Sequence, residues 1–201
     1  MNRSEPSKIS KPFRFFYPST RGNIEAYAAR PRGEGPFPLV ILLHGHSIRG
    51  RGAEQVLSSA EAFASEICFA SVAISLPGYG STEVTDGSME EITRQAVKDG
   101  ISFARQLSWV DKRRVFFYGV SRGATIAAAM LNDVEGVSGA VLYSGAYDLS
   151  NSTVKHPAFG CGNCSTRTAT PIPSCSAFLA KDRIGVCQRL FSTASRTSWY
   201  R

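Results

Sequence analysis

The sequence predicts an α/β fold: a mostly parallel sheet, covered by helices on both faces, with an antiparallel hairpin at its start. Three observations predict it. Residues 39–43, LVILL, form the continuous apolar run expected of a strand buried on both faces. Beyond it, segments of helical period alternate with short apolar runs as far as residue 143. Ahead of it, two β-rich segments flank a cluster of turn-forming residues.

The elements follow in order. Residues 13–18, FRFFYP, read as a short aromatic strand, and Ser19, Thr20, Arg21, Gly22 and Asn23 as a turn. Residues 24–30 alternate Ile and Ala against Glu25 and Tyr27, which predicts a second strand with those two side chains facing outward. A Pro/Gly loop over 31–38 leads into the buried strand at 39–43. Val56, Leu57, Ala60, Phe63, Ala64 and Ile67 recur at helical spacing, and 69–76 is the next apolar strand. A helix over about 89–107 puts Ile92, Ala96, Val97, Ile101, Ala104 and Leu107 on one face, with Ser88 and Glu91 in the form of a capping box. A strand at 114–118, a small-residue helix at 122–131 and a sixth strand at 137–143 complete the pattern.

Composition sets the class. The 201 residues are 43% hydrophobic and 19% charged, the balance of a globular protein. No apolar run approaches the roughly 18 residues of a membrane helix, and residues 1–10 are polar with no apolar stretch behind them, so a soluble cytoplasmic protein is expected. The net charge of +7 is unevenly held. Residues 1–150 carry 16 Lys and Arg against 15 Asp and Glu, whereas residues 151–201 carry seven basic residues against Asp182 alone. Four of the five cysteines also lie in that tail, with 13 Ser and Thr. The expected organisation is therefore a core at 1–150 and a basic, Ser/Thr/Cys-rich tail at 151–201 with no assigned fold.

Chemistry enters at Gly119-Val120-Ser121-Arg122-Gly123, which has the form G-x-S-x-G. It follows an apolar strand and opens a helix, the placement a nucleophile elbow requires. There the serine hydroxyl is projected above the sheet, and the helix start behind it favours developing negative charge. His44-Gly45-His46 leaves the buried strand directly. Paired, the backbone N–H groups of His46 and Arg122 would make a two-donor oxyanion hole. Without the elbow beside them, His44 and His46 would read as loop histidines that only pack.

With LVILLHGH, Leu76-Pro77-Gly78-Tyr79-Gly80-Ser81 and GVSRGA in order, residues 13–150 resemble the α/β-hydrolase superfamily, most closely its dienelactone-hydrolase and prolyl-oligopeptidase-like branches. The resemblance implies a serine hydrolase acting on an ester, amide or peptide bond, with Ser121 as nucleophile and oxyanion donors at His46 and Arg122. It implies no cofactor and no metal, and its partner is a small-molecule or peptide substrate.

The family order then asks for an acid and a histidine after the serine. Asp133 and Glu135 follow the elbow helix at the wrong end of the sheet. Asp148 follows the sixth strand on the correct side, one strand early for the usual acid, and His156 is the only histidine after Ser121. Asp148 is thus the candidate acid and His156 the candidate base. The 51 residues of the tail fall short of the roughly 60 that two further strand–helix units use, so a truncated or altered C-terminus is expected, with the last strands missing or unrecognisable. The alternative function is a catalytically incomplete hydrolase remnant, or a binding scaffold, without a working acid–histidine pair. In that case labelling of Ser121 is expected to be faint. Cys161 and Cys164 form half a zinc knuckle, but Cys175 and Cys187 stand apart, and the basic tail lacks the aromatic interleaving of a nucleic-acid binder. Neither zinc, nucleic acid nor a membrane is therefore assigned as partner.

Overall fold

A computed structural model describes residues 11–85 and 90–146 and the backbone of residues 177–180. Its elements run β1 (Phe13–Ser19), β2 (Gly22–Ala29), β3 (Phe37–Leu43), a 3-10 turn (Ala53–Val56), α1 (Leu57–Glu66), β4 (Ala70–Ile74), α2 (Glu90–Ala104), β5 (Val110–Val120), α3 (Arg122–Met130), β6 (Val137–Tyr143) and β7 (Ala177–Ala180). They form one mixed sheet in the order β1-β2-β4-β3-β5-β6-β7. The inner strands β4, β3, β5 and β6 are mutually parallel, and the β1–β2 hairpin joins antiparallel through β2 to β4.

Burial on both faces explains why β3 is continuously apolar. Leu39, Ile41 and Leu43 belong to a core with Val97 and Ile101 of α2 and Ala124 and Ala127 of α3. Val40 and Leu42 point the other way, into a smaller core with Ala60 of α1 and Ala73 of β4. Each residue from Leu39 to Leu43 is 1% exposed or less, and side chains of this kind contribute roughly 1.5–3 kcal/mol apiece on burial.

The structure departs from the sequence pattern in three places. β5 begins at Val110 rather than at 114, and so takes in the whole charged run Lys112-Arg113-Arg114. Its pairing with β3 jumps from Pro38↔Asp111 to Leu39↔Val115, so the three basic residues are looped out of register and stay exposed. On β2, Glu25 does not face solvent; it is 2% exposed. Its carboxylate is taken up by Arg14 Nε at 2.7 Å, the Ser75 hydroxyl at 2.7 Å and the Ser81 N–H at 2.9 Å. From the tail, Ala177–Ala180 adds a strand antiparallel to β6, along Gly139–Leu142. The proposed capping residue Ser88 lies outside the described residues.

Candidate active site

The parallel strands β3, β4 and β5 end at one edge, and the loops that leave them there carry the polar residues. Ser121 stands between β5 and α3 with φ 51° and ψ −117°, a strained conformation for a residue other than glycine. Several backbone bonds hold it there. Its N–H donates to the Tyr143 carbonyl at 2.8 Å, and its carbonyl accepts from the N–H groups of Ala124 and Thr125 at 2.9 and 3.1 Å. The side chain is exposed, and its hydroxyl does not cap α3.

Glycine is required on both sides of this turn. A Cβ on Gly119 would stand 2.6 Å from Ala124 Cα and from the Gly123 carbonyl oxygen. A Cβ on Gly123 would overlap the Leu43 carbonyl at the end of β3. The same packing brings the loop after β3 to the serine, since a Cβ on Gly45 would lie 3.3 Å from Ser121 Cβ. Gly45 and Ser121 are therefore adjacent. Arg122 is the first residue of α3, where helical N–H groups have no intrahelical acceptor.

The two histidines after β3 differ. His44 is buried, and the Leu76 N–H donates to its Nε2 at 3.0 Å. Nδ1 therefore carries the proton and donates to the Gly45 carbonyl at 2.7 Å. In that tautomer the 3.1 Å approach of the Gln55 amide nitrogen to Nδ1 is not a hydrogen bond; that amide donates to the carbonyls of Arg51 and Gly45 instead. His46 is exposed, and its Nδ1 lies 2.5 Å from the Tyr79 hydroxyl, which also accepts from Arg122 Nη1 at 3.1 Å. The sequence marks Tyr79 only as part of the Leu76–Ser81 segment on which the family resemblance partly rests. A buried tyrosine meeting residues 33 and 43 positions away leaves no local signal.

Burial lowers the His44 pKa from 6.5 to about 4, against the opposing Gly45 bond. The folded protein thus holds His44 neutral where the unfolded chain takes up a proton. This contribution is fully present above pH 6.5 and is lost as pH falls toward 4, about 3 kcal/mol in all. Glu25 behaves oppositely. Burial pushes its carboxyl up, but the Ser81 and Ser75 bonds and Arg14 outweigh burial and leave it below its ordinary 4.5. Carboxylate losses of that kind begin below pH 4.5, so urea unfolding at intermediate pH isolates His44. We expect stability to fall steadily from pH 6.5 to 4.5 in the native protein and to stay flat there in His44→Gln; equal slopes in the two would refute the assignment.

The remaining sequence candidates divide simply. Asp133 pairs with Arg94 at 3.1 Å and Lys98 at 3.7 Å, both on α2. Asp148 and His156, the candidate acid and base, lie outside the described residues, as do Cys161, Cys164, Cys175 and Cys187. Among the described residues no group of three His, Cys, Asp or Glu is arranged to hold a metal ion, and no helix is long and apolar enough to cross a membrane.

A sequence model described as the alpha/beta hydrolase family matches residues 40–200. No curated protein sequence matches. Solved structures share the fold: an esterase from the hyperthermophilic archaeon Pyrobaculum calidifontis superposes with TM-score 0.61 and 19% identity, over 77% of this chain and 53% of its own. A protein from Klebsiella pneumoniae assigned to the dienelactone hydrolases gives 0.57 and 21%, over 73% and 65%. An acylaminoacyl peptidase from Pyrococcus horikoshii gives 0.54 and 16%, over 69% and 23%. The chain spans less than two thirds of the length of each of these proteins.

Proposed function

The chain belongs to the alpha/beta hydrolase family, and on that premise we propose that it hydrolyses an ester, amide or peptide bond through an acyl-serine at Ser121. The observation that carries this reading is the backbone of Ser121, held at φ 51° at the head of α3 with its side chain exposed. Such strain persists only where the surroundings enforce it, and it concentrates at functional sites. The SRG elbow and the N-terminal hairpin favour the dienelactone-hydrolase and prolyl-oligopeptidase-like branches within the family. A cytoplasmic location belongs to the same reading.

Each step has an assigned group. Ser121 Oγ attacks the carbonyl carbon while a histidine takes its proton, His156 being the candidate and Asp148 the acid that orients it. The oxygen that becomes negative is received by the N–H groups of His46 and Arg122, aided by the dipole of α3. One donor of this kind is worth roughly 10²–10³ in rate. The intermediate collapses to the acyl-serine and releases the alcohol or amine, which takes the proton from the histidine. Water then repeats the sequence and frees Ser121. The test is reaction with a fluorophosphonate followed by peptide mapping. A single adduct on Ser121, absent in Ser121→Ala, is expected; an adduct elsewhere that survives the substitution refutes the reading.

A further inference from the structure

The Tyr79 hydroxyl touches the side chains of the two residues whose backbone N–H groups form the proposed oxyanion hole. Arg122 Nη1 can only donate, so at 3.1 Å it donates to the hydroxyl oxygen. The hydroxyl's own proton is then directed to His46 Nδ1 at 2.5 Å, which places the His46 proton on Nε2. Tyr79 is 7% exposed, with the Arg122 guanidinium carbon 5.5 Å from its ring centroid and the His44 and His46 rings edge-on at 5.0 and 5.9 Å.

The loop that carries Tyr79 is itself fixed. The Ser81 N–H donates to the buried Glu25 carboxylate, the Gly80 N–H to the Gly50 carbonyl at 2.8 Å, and the Leu76 N–H to His44. The segment around Tyr79 is therefore anchored to β2 and to the loop that follows β3. His46 begins an exposed loop and Arg122 the helix α3, and the Tyr79 hydroxyl joins their two side chains.

We propose that Tyr79 is a positioning residue that sets the separation of the His46 and Arg122 oxyanion donors by bridging their side chains. The proposal rests on the acyl-serine reading above. Donors stabilise an oxyanion only when they are aimed beforehand, and misplacement on the scale of 1 Å costs about 10²-fold.

Tyr79→Phe keeps the ring and removes only the bridging hydroxyl. Expected is a loss of about 10- to 100-fold in the rate of fluorophosphonate reaction, followed by intact-mass spectrometry, and in kcat for a p-nitrophenyl ester. KM and Tm should stay near the native values. Arg122→Met keeps the backbone N–H and cuts the same bridge, so it should act in the same direction and serves if Tyr79→Phe does not fold. Because both substitutions break one bridge, the double variant should lose little more than the worse single one. Native rates in both single variants, a rise in KM without a fall in kcat, or fully additive losses would each overturn the proposal while Ser121→Ala remains inactive. Activity that survives Ser121→Ala would overturn the acyl-serine reading and this proposal together.

Discussion

Gly123→Ala is expected to cost at least about 3 kcal/mol, lowering Tm by on the order of 10 °C, and to silence Ser121 as well. The cause is steric. Gly123 has no positive φ, so alanine meets no backbone penalty there. Its Cβ would instead overlap the backbone of Leu43 and crowd the His44 carbonyl oxygen at 2.7 Å. These are main-chain atoms of the central strand and the residue after it, and they cannot turn aside as a flexible side chain would. Relief requires α3 to move away from β3, which loosens the core that Ala124 and Ala127 share with Leu39, Ile41 and Leu43. The movement would also carry Ser121 away from Gly45. Gly50→Ala separates this cause from the general effect of replacing glycine. Gly50 has φ 68° with nothing within 4 Å of the added Cβ, so alanine there meets only the left-handed penalty of about 1–2 kcal/mol. Thermal melts of both variants decide it: Gly123→Ala melting as high as Gly50→Ala would remove the steric account of the elbow.

What the sequence discloses depends on how local the cause is. β3, β6 and α3 are legible because the apolar run, or the spacing within it, reports burial directly; β6 lies at 137–143 in both sequence and structure. The elbow is legible for the same reason, since the glycines that make room for Ser121 sit two residues either side of it. The start of β5 is hidden because three basic residues are tolerated by a register shift that depends on β3. Glu25 misleads because its partners are Arg14 on β1, Ser75 at the end of β4 and Ser81 in the following loop, and only folding gathers them. Tyr79 is hidden likewise: its part in the site comes from where β3 and β5 end, not from its neighbours in the chain. The candidate acid and base rest on the family order alone, because neither Asp148 nor His156 is within the described residues.

His156→Ala is expected to lower kcat to the level of Ser121→Ala, a loss on the order of 10⁵–10⁶-fold, because nucleophile and base act as a unit. That is about 7–8 kcal/mol of transition-state stabilisation. The chain has three histidines. His44 accepts at Nε2 and donates at Nδ1, and its lowered pKa makes it a poor proton acceptor. His46 has Nδ1 on Tyr79 and follows β3, whereas the family order puts the base after the serine. His156 is the histidine that order leaves. Asp148→Asn should cost about 10⁴-fold, the loss expected when the histidine keeps its place but not its orienting charge. Activated-ester turnover by the three variants gives the ranking. The opposite result is equally definite: if the native protein turns over only about 10³–10⁴-fold faster than water, and neither Ser121→Ala nor His156→Ala slows it, no base reaches the serine. The chain would then be the incomplete hydrolase or binding scaffold, with an elbow built but not supplied.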